Sequence, residues 1–204
     1  MNKYIRVWDP LVRLFHWSLV LAFIISYLTG EEESDLHIYS GYAVLGLITF
    51  RLFWGVIGSK YARFSNFVTS RKNLMTYLKS LLSGKAKHYM GHNPAGGWMV
   101  MALILSLFIT TLSGLKLYAV EEGPGPLALD SVQIQLISTA HADGNEYAEN
   151  DNEGDEDLWE EVHEAASNFS VFLIFIHIAG VFFTSLIHKE NLPRAMITGR
   201  KKSE

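Results

Sequence analysis

No cysteine occurs among the 204 residues, which excludes disulfides, Cys-ligated zinc, iron–sulfur clusters and covalent c-type haem attachment. Any cofactor must be held by His, Met, Tyr or carboxylate side chains. Gly-rich phosphate loops, nucleophile triads and nucleic-acid motifs are also missing, so no nucleic acid is expected as a partner. The third scarcity is charge. Leu14–Gly30 carries none, His37–Gly58 only Arg51, Gly96–Leu115 none, and Ala165–His188 none over 24 residues. About 20 apolar residues at a 1.5 Å rise cross a bilayer core, so these stretches predict four transmembrane helices. The expected fold class is all-α, an integral membrane four-helix bundle in one domain over residues 1–204, with helices at about 12–30, 37–58, 96–118 and 160–188. Membrane lipid is its solvent and its first partner.

The charge that is present is segregated. Of 17 Lys and Arg, all but Lys116 fall before the first stretch, at the end of the second, between the second and third, or after the fourth. The positive-inside rule then puts both termini in the cytoplasm, together with a loop of about 59–95. Lys3, Arg6, Asp9 and Arg13 precede the first apolar run and no small-residue cleavage site closely follows it, so the N-terminal segment reads as a retained anchor and not a signal peptide. Ala140-His141-Ala142 imitates a cleavage site but lies too far from an apolar run to count.

The opposite side is acidic, with Glu31, Glu32, Glu33 and Asp35, then fourteen carboxylates from Glu121 to Glu164. Gly123-Pro124-Gly125-Pro126 and a scarcity of apolar residues further on make about 119–159 an expected mobile, solvated loop on the side opposite the cytoplasm. Asp151, Glu153 and Asp155 resemble a calcium loop, but Gly154 is misplaced for the turn an EF-hand needs. The run reads as a solvated tether, with docking of a basic partner as the sharper alternative. On the cytoplasmic side Leu74, Leu78, Leu81 and Leu82 recur at helical spacing among lysines, the pattern of an amphipathic helix on the inner leaflet.

Four of the eight histidines, His16, His37, His163 and His177, fall inside or at the edge of the spans. An imidazole in hydrocarbon is costly, so each is a functional candidate, although a core histidine bonded to a carbonyl accounts equally well for any one alone. Their spacing separates the two accounts. His163 and His177 are 14 residues apart, which at about 100° per residue brings them within about 40° of one face and about 21 Å apart along the axis. His16 lies near the inner end of the first helix and Gly30, also 14 residues on, at its outer end, where His37 opens the second. An antiparallel fourth helix then sets His163 level with His37 and His177 level with His16. Two His pairs on facing helices, with no Cys or clustered carboxylate beside them, suit two non-covalent b-type haems with bis-His ligation of the iron. Gly41, Ala166 and Gly180, one turn from these histidines, leave room for a flat macrocycle, though small residues equally serve plain helix packing. His88 and His92 have the i, i+4 spacing of a zinc clip but no third ligand.

Further motifs run through the chain: VWDPLVRLFHW from Val7 to Trp17, HIYSGY from His37 leading to RLFWG from Arg51, GHNPAG from Gly91, HIAG from His177 and MITGRK from Met196. With these, the chain resembles the bacterial cytochrome b561 family over nearly its whole length, most closely the branch related to the b-type cytochrome subunit of nickel–iron hydrogenases. The resemblance implies a di-haem cytochrome of the bacterial inner membrane. It would move electrons between the quinone pool and a periplasmic redox protein, such as a c-type cytochrome or a hydrogenase-like subunit. Carried over residue by residue, His16 and His177 ligate the inner haem, and His37 and His163 the outer one. The long acidic loop departs from the short loop of compact relatives.

Arg13, one turn from His16, and Arg51 are placed to pair with propionates of the inner haem, and serve the positive-inside pattern equally well. Lys116 suits the outer haem, a quinone headgroup or ordinary snorkelling. A quinone site needs donors and water; Arg13, Arg51, His92 and Asn93 offer donors near the inner face, and Tyr39, Tyr42, Lys116 and Tyr118 near the outer. Trp8, Trp17, Trp54, Trp98 and Trp159 lie near helix ends, as an interfacial belt does. Two other functions compete. A superoxide oxidase coupled to quinone reduction is disfavoured because the outer carboxylates repel that anion. A haem-free membrane anchor or proton-conducting subunit is disfavoured by the lack of embedded carboxylates and of repeated or broken helices.

Overall fold

The computed structural model describes residues 4–30, 34–85, 87–121 and 146–202. Along the chain come β1 (Tyr4–Arg6), α1 (Pro10–Leu28), α2 (Asp35–Ile57), a 3-10 turn (Phe64–Asn66), α3 (Arg71–Leu82), α4 (Pro94–Glu121), α5 (Glu146–Ile187), α6 (Leu192–Thr198) and β2 (Arg200–Lys202). The protein is mostly helical, and four helical segments are long and apolar enough to cross a membrane: Pro10–Leu28, Asp35–Ile57, Pro94–Val120 and Glu156–Ile187. Mid-span side chains such as Leu21 and Phe175, 61% and 67% exposed, have lipid as their surroundings.

Several helices start on a side-chain cap. Asp9 accepts from the Val12 amide at 2.9 Å, with Pro10 pre-set in the first helical turn. Ser70 accepts from the Asn73 amide at 3.3 Å, and Asn191 from the Arg194 amide at 2.8 Å. The short α6 closes on Gly199, whose φ of 76° is left-handed. A Cβ there would stand 2.6 Å from the Trp8 carbonyl oxygen, so the position requires glycine on both counts.

Two features differ from the sequence expectation. α5 begins at Glu146 and not near 160, so the second half of the acidic stretch is helical and not a loop. Ala148, Glu149, Glu153 and Glu156 are strong helix formers, no proline intervenes between Pro126 and Pro193, and carboxylates near a helix N-terminus complement its dipole. Residues 122–145, which hold the Gly-Pro run and Ala140-His141-Ala142, lie outside the described residues, as do Lys3, Glu31, Glu32 and Glu33 and the side chains of Asp151, Glu153 and Asp155. The all-α expectation also omitted a ribbon: β1 and β2 pair antiparallel in the register Tyr4↔Lys202, Ile5↔Lys201, Arg6↔Arg200. Three-residue strands at opposite ends of the chain carry no local periodicity by which to find them.

The described residues form two compact units. One comprises those of Met1–Leu105 and Val171–Glu204. In it α1 and α2 pack as a hairpin. Val7, Trp8, Val12, Ala62 and Ala195 form an apolar cluster below them, lined by Trp54, Tyr61, Met90 and Met196. The Gly199 carbonyl accepts from the amides of Val7 and Trp8 at 2.9 and 3.2 Å, continuing the ribbon into this cluster. Asp9 also accepts from Trp54 Nε1 at 3.3 Å and from the Ser59 hydroxyl, tying α1 to the end of α2 and the turn beyond it. Lys201 is buried and donates to Glu190 at 2.8 Å and to the Tyr89 carbonyl at 3.0 Å, while His88 Nε2 lies 2.9 Å from the other Glu190 oxygen. α3 is amphipathic as expected, with Tyr77 buried and Leu82 exposed.

The second unit is Ser106–Ser170. Its two helical segments meet through hydroxyls: Ser106 and Ser170 Oγ are 2.6 Å apart, with Thr110 Oγ1 3.2 Å from Ser170. Side-chain hydrogen bonds of this kind hold helices together where lipid removes the hydrophobic drive to associate.

Candidate functional site

His37 opens α2 beside the end of α1. The last turn of a helix leaves carbonyls without an intrahelical partner, and His37 Nδ1 donates to one of them, Ser26 O, at 2.8 Å. A carbonyl can only accept, so the proton sits on Nδ1 and the ring's lone pair is on Nε2.

In the second unit His163 reaches the same state by another route. Its Nδ1 donates to the Thr110 carbonyl at 2.9 Å, with Ser113 Oγ 3.2 Å away. The residue one turn on from Thr110 is Gly114, where a Cβ would lie 2.8 Å from the His163 ring. Glycine there opens a mid-helix carbonyl to an imidazole, and again Nε2 keeps the lone pair. A ring fixed in this tautomer by a backbone carbonyl is the common form of a metal-ligating histidine.

His16 and His177 belong to the first unit and lie within electrostatic reach of one another. Among the described residues His16 Nδ1 is buried without a hydrogen-bond partner, which is rare for a polar atom at membrane depth. A Cβ at Gly41 or Gly180 would meet nothing within 4 Å. Among the described residues nothing packs closely on either glycine, and the open space beside each leaves room for a planar group. The donor chemistry and these openings together fit haem.

Arg51 is 3% exposed, with Nη2 donating to the Ala62 carbonyl at 3.1 Å and the guanidinium 4.7 Å above the Phe64 ring. Its Nη1 is buried without a partner among the described residues. Arg13 donates from Nη1 to the Ile197 carbonyl at 2.6 Å, capping the last turn of α6. Asn93 caps α4 by accepting from the Gly96 amide at 2.7 Å. Beside it His92 packs on Trp8 and Phe67, with ring centroids 4.7 and 4.4 Å away. Among the described residues no three His, Cys, Asp or Glu side chains gather as a metal site, and His88 meets Glu190 instead of forming a zinc clip with His92.

Burial, with Arg51, His177 and Lys201 nearby, holds the His92 imidazole down at a pKa of about 3. Unfolded, the group titrates near 6.5, so between these values the unfolded chain binds the extra proton. Stability therefore falls as pH drops below about 6.5, by up to about 1.4 kcal/mol per pH unit for this group. The melting temperature is expected to decline from pH 7 to pH 5 more steeply in the native chain than in His92→Phe. Equal slopes would show that His92 already titrates in the fold.

The sequence profile of prokaryotic cytochrome b561 matches residues 7–199. The chain belongs to this family. It is accordingly a membrane b-type cytochrome of electron transfer, and b-type haem is its cofactor. No curated protein and no solved structure matches the cytochrome. Sequence reasoning found the cytochrome's four membrane histidines but missed the groups that orient two of them, Ser26, Thr110, Ser113 and Gly114. Two of those orienting contacts are backbone carbonyls, which every residue carries, so only the glycine at 114 offered a signal.

Proposed function

We propose that this cytochrome is a di-haem, four-helix bundle of the bacterial inner membrane, with both termini cytoplasmic, that passes electrons between a periplasmic redox protein and the quinone pool. His16 and His177 would hold one haem iron, and His37 and His163 the other. The observation that carries the reading is the shared state of His37 and His163, each with Nδ1–H given to a backbone carbonyl and Nε2 left basic. Bound haems supply a one-electron couple. The protein's part is to fix the imidazoles and to keep water from the spans. The buried, unspent Nη1 of Arg51 supports pairing with a propionate on the His16 side. Neutral His92, with Nδ1 also unspent and Arg51 nearby, supports a quinone carbonyl binding at that same end.

The distribution of Lys and Arg supports the orientation. Fourteen carboxylates between Glu121 and Glu164 suit a basic protein partner, such as a c-type cytochrome, better than superoxide. The test is a pyridine haemochrome assay on the detergent-purified protein, with a dithionite-reduced minus air-oxidised spectrum. Two b haems per chain with low-spin, six-coordinate bands are expected. One haem, or high-spin bands, would overturn the two-pair assignment.

A further inference from the structure

The ribbon at the chain ends holds a conflict that the electron-transfer reading does not use. Arg6 on β1 stands directly opposite Arg200 on β2. Like charges facing one another across a strand pair are destabilising, and a three-residue ribbon has little else to offset them. Alternate residues of a strand share a face, so Tyr4 lies on the same side as Arg6. That side lines a cavity of about 560 Å³, to which Lys189, Asn191 and Arg194 also contribute. Among the described residues none of Arg6, Lys189, Arg194 and Arg200 has an ion pair. The cavity's carboxylate, Glu190, is already bonded to Lys201 and faces His88. Four cations thus converge on one space, and among the described residues no carboxylate of its lining is left to meet them.

We propose that this cavity is a binding site for a phosphate group, and that its occupant is the headgroup of an anionic phospholipid. The level of the site argues for the lipid. Lys189 follows the span that ends at Ile187 by two residues, and Arg6 precedes the span that begins at Pro10 by four, so the cations sit at headgroup depth. Ile197, on α6 next to the cavity-lining Thr198, is 61% exposed although it lies outside the spans. An apolar side chain there belongs against acyl chains, not in water. Arginines suit phosphate because their forked donors bond two of its oxygens at once, and each cation near a membrane surface adds to the attraction. A phosphate between Arg6 and Arg200 would turn the repulsive pair into a clamp that fastens the N-terminal segment to the C-terminal one.

The test uses the full-length protein with its cofactor, purified in a non-ionic detergent, and native mass spectrometry with added phosphatidylglycerol or phosphatidylcholine. Native protein is expected to retain one phosphatidylglycerol and no phosphatidylcholine. Removing two of four cations in Arg6→Gln/Arg200→Gln should lower occupancy by about tenfold or more. Lys189→Gln/Arg194→Gln, which leaves the ribbon intact, should do the same, whereas Lys79→Gln on α3 should bind as the native protein does. Melting provides an independent sign. Without anionic lipid the Arg6→Gln/Arg200→Gln variant should melt no lower than native, because repulsion is relieved, and phosphatidylglycerol should raise the melting temperature of the native protein alone. Equal retention of the two lipids, or undiminished retention in both double variants, would overturn the site. Stabilisation by inorganic phosphate with no retention of phosphatidylglycerol would overturn the lipid as its occupant.

Discussion

The His177→Ala variant is expected to purify with one b haem per chain, against the two proposed for the native cytochrome. His177 stands on α5 in the first unit, within electrostatic reach of His16, with open space beside Gly180 one turn away. If His16 and His177 together hold a haem, the variant would keep only one of its two protein ligands, and no Cys or Met flanks His177 to replace the imidazole. His163→Ala should lose the other haem, leaving Thr110 O without the imidazole donor it now has. Pairing is tested by combination. His16→Ala/His177→Ala should still hold one haem, because both changes fall on the same site, while His163→Ala/His177→Ala should hold none. His88→Ala, whose ring meets Glu190, should keep two. Haem quantitation by pyridine haemochrome reads all five variants, and full haem content in His177→Ala or His163→Ala would sink the assignment.

The largest loss of stability is expected from Asp9→Ala. The carboxylate caps α1 through Val12 N, accepts from Trp54 Nε1 and takes the Ser59 hydroxyl hydrogen. Burial pushes its pKa up, but the hydrogen bonds from Ser59, Val12 and Trp54 outweigh that and hold it below 3.8. Loss of an N-cap costs about 1 kcal/mol, and leaving partly buried donors unsatisfied costs about 1–3 kcal/mol more. A total of about 2–4 kcal/mol is expected, read as a lower melting temperature by tryptophan fluorescence. Asp9→Asn keeps one acceptor oxygen and should lose about half as much. Because the folded pKa lies below the unfolded one, this contribution is complete above about pH 4 and disappears as pH falls through the folded value. An Asp9→Ala protein that melts with the native one would show that the apolar cluster of Trp8, Val12 and Ala195 holds this region without the carboxylate.

The spans were legible because hydropathy is a local property. A run such as Ala165–His188 crosses a bilayer whatever its neighbours are, and helical geometry then fixes the 14-residue offset between His163 and His177. Family membership was legible for a related reason, since VWDPLVRLFHW and HIAG keep residue and spacing together. The start of α5 at Glu146 is not legible in the sequence, because acidity marks a loop and a helix N-terminus alike. Glutamate is a good helix former, and at a helix N-terminus its charge is favourable.

By itself the sequence determined four membrane segments, the depth of four histidines along them and the segregation of cations to the ends and one loop. Tertiary structure alone decided which ring nitrogen of His37 and His163 keeps its lone pair, because the acceptors Ser26 O and Thr110 O are backbone atoms brought close by packing. It alone decided that Asp9 serves Trp54 and Ser59, that Lys201 is buried against Glu190, and that Arg6 faces Arg200. Each of those contacts joins residues at least 11 positions apart. Composition and periodicity describe what a segment prefers, whereas a hydrogen bond between distant residues exists only after the chain has closed on itself.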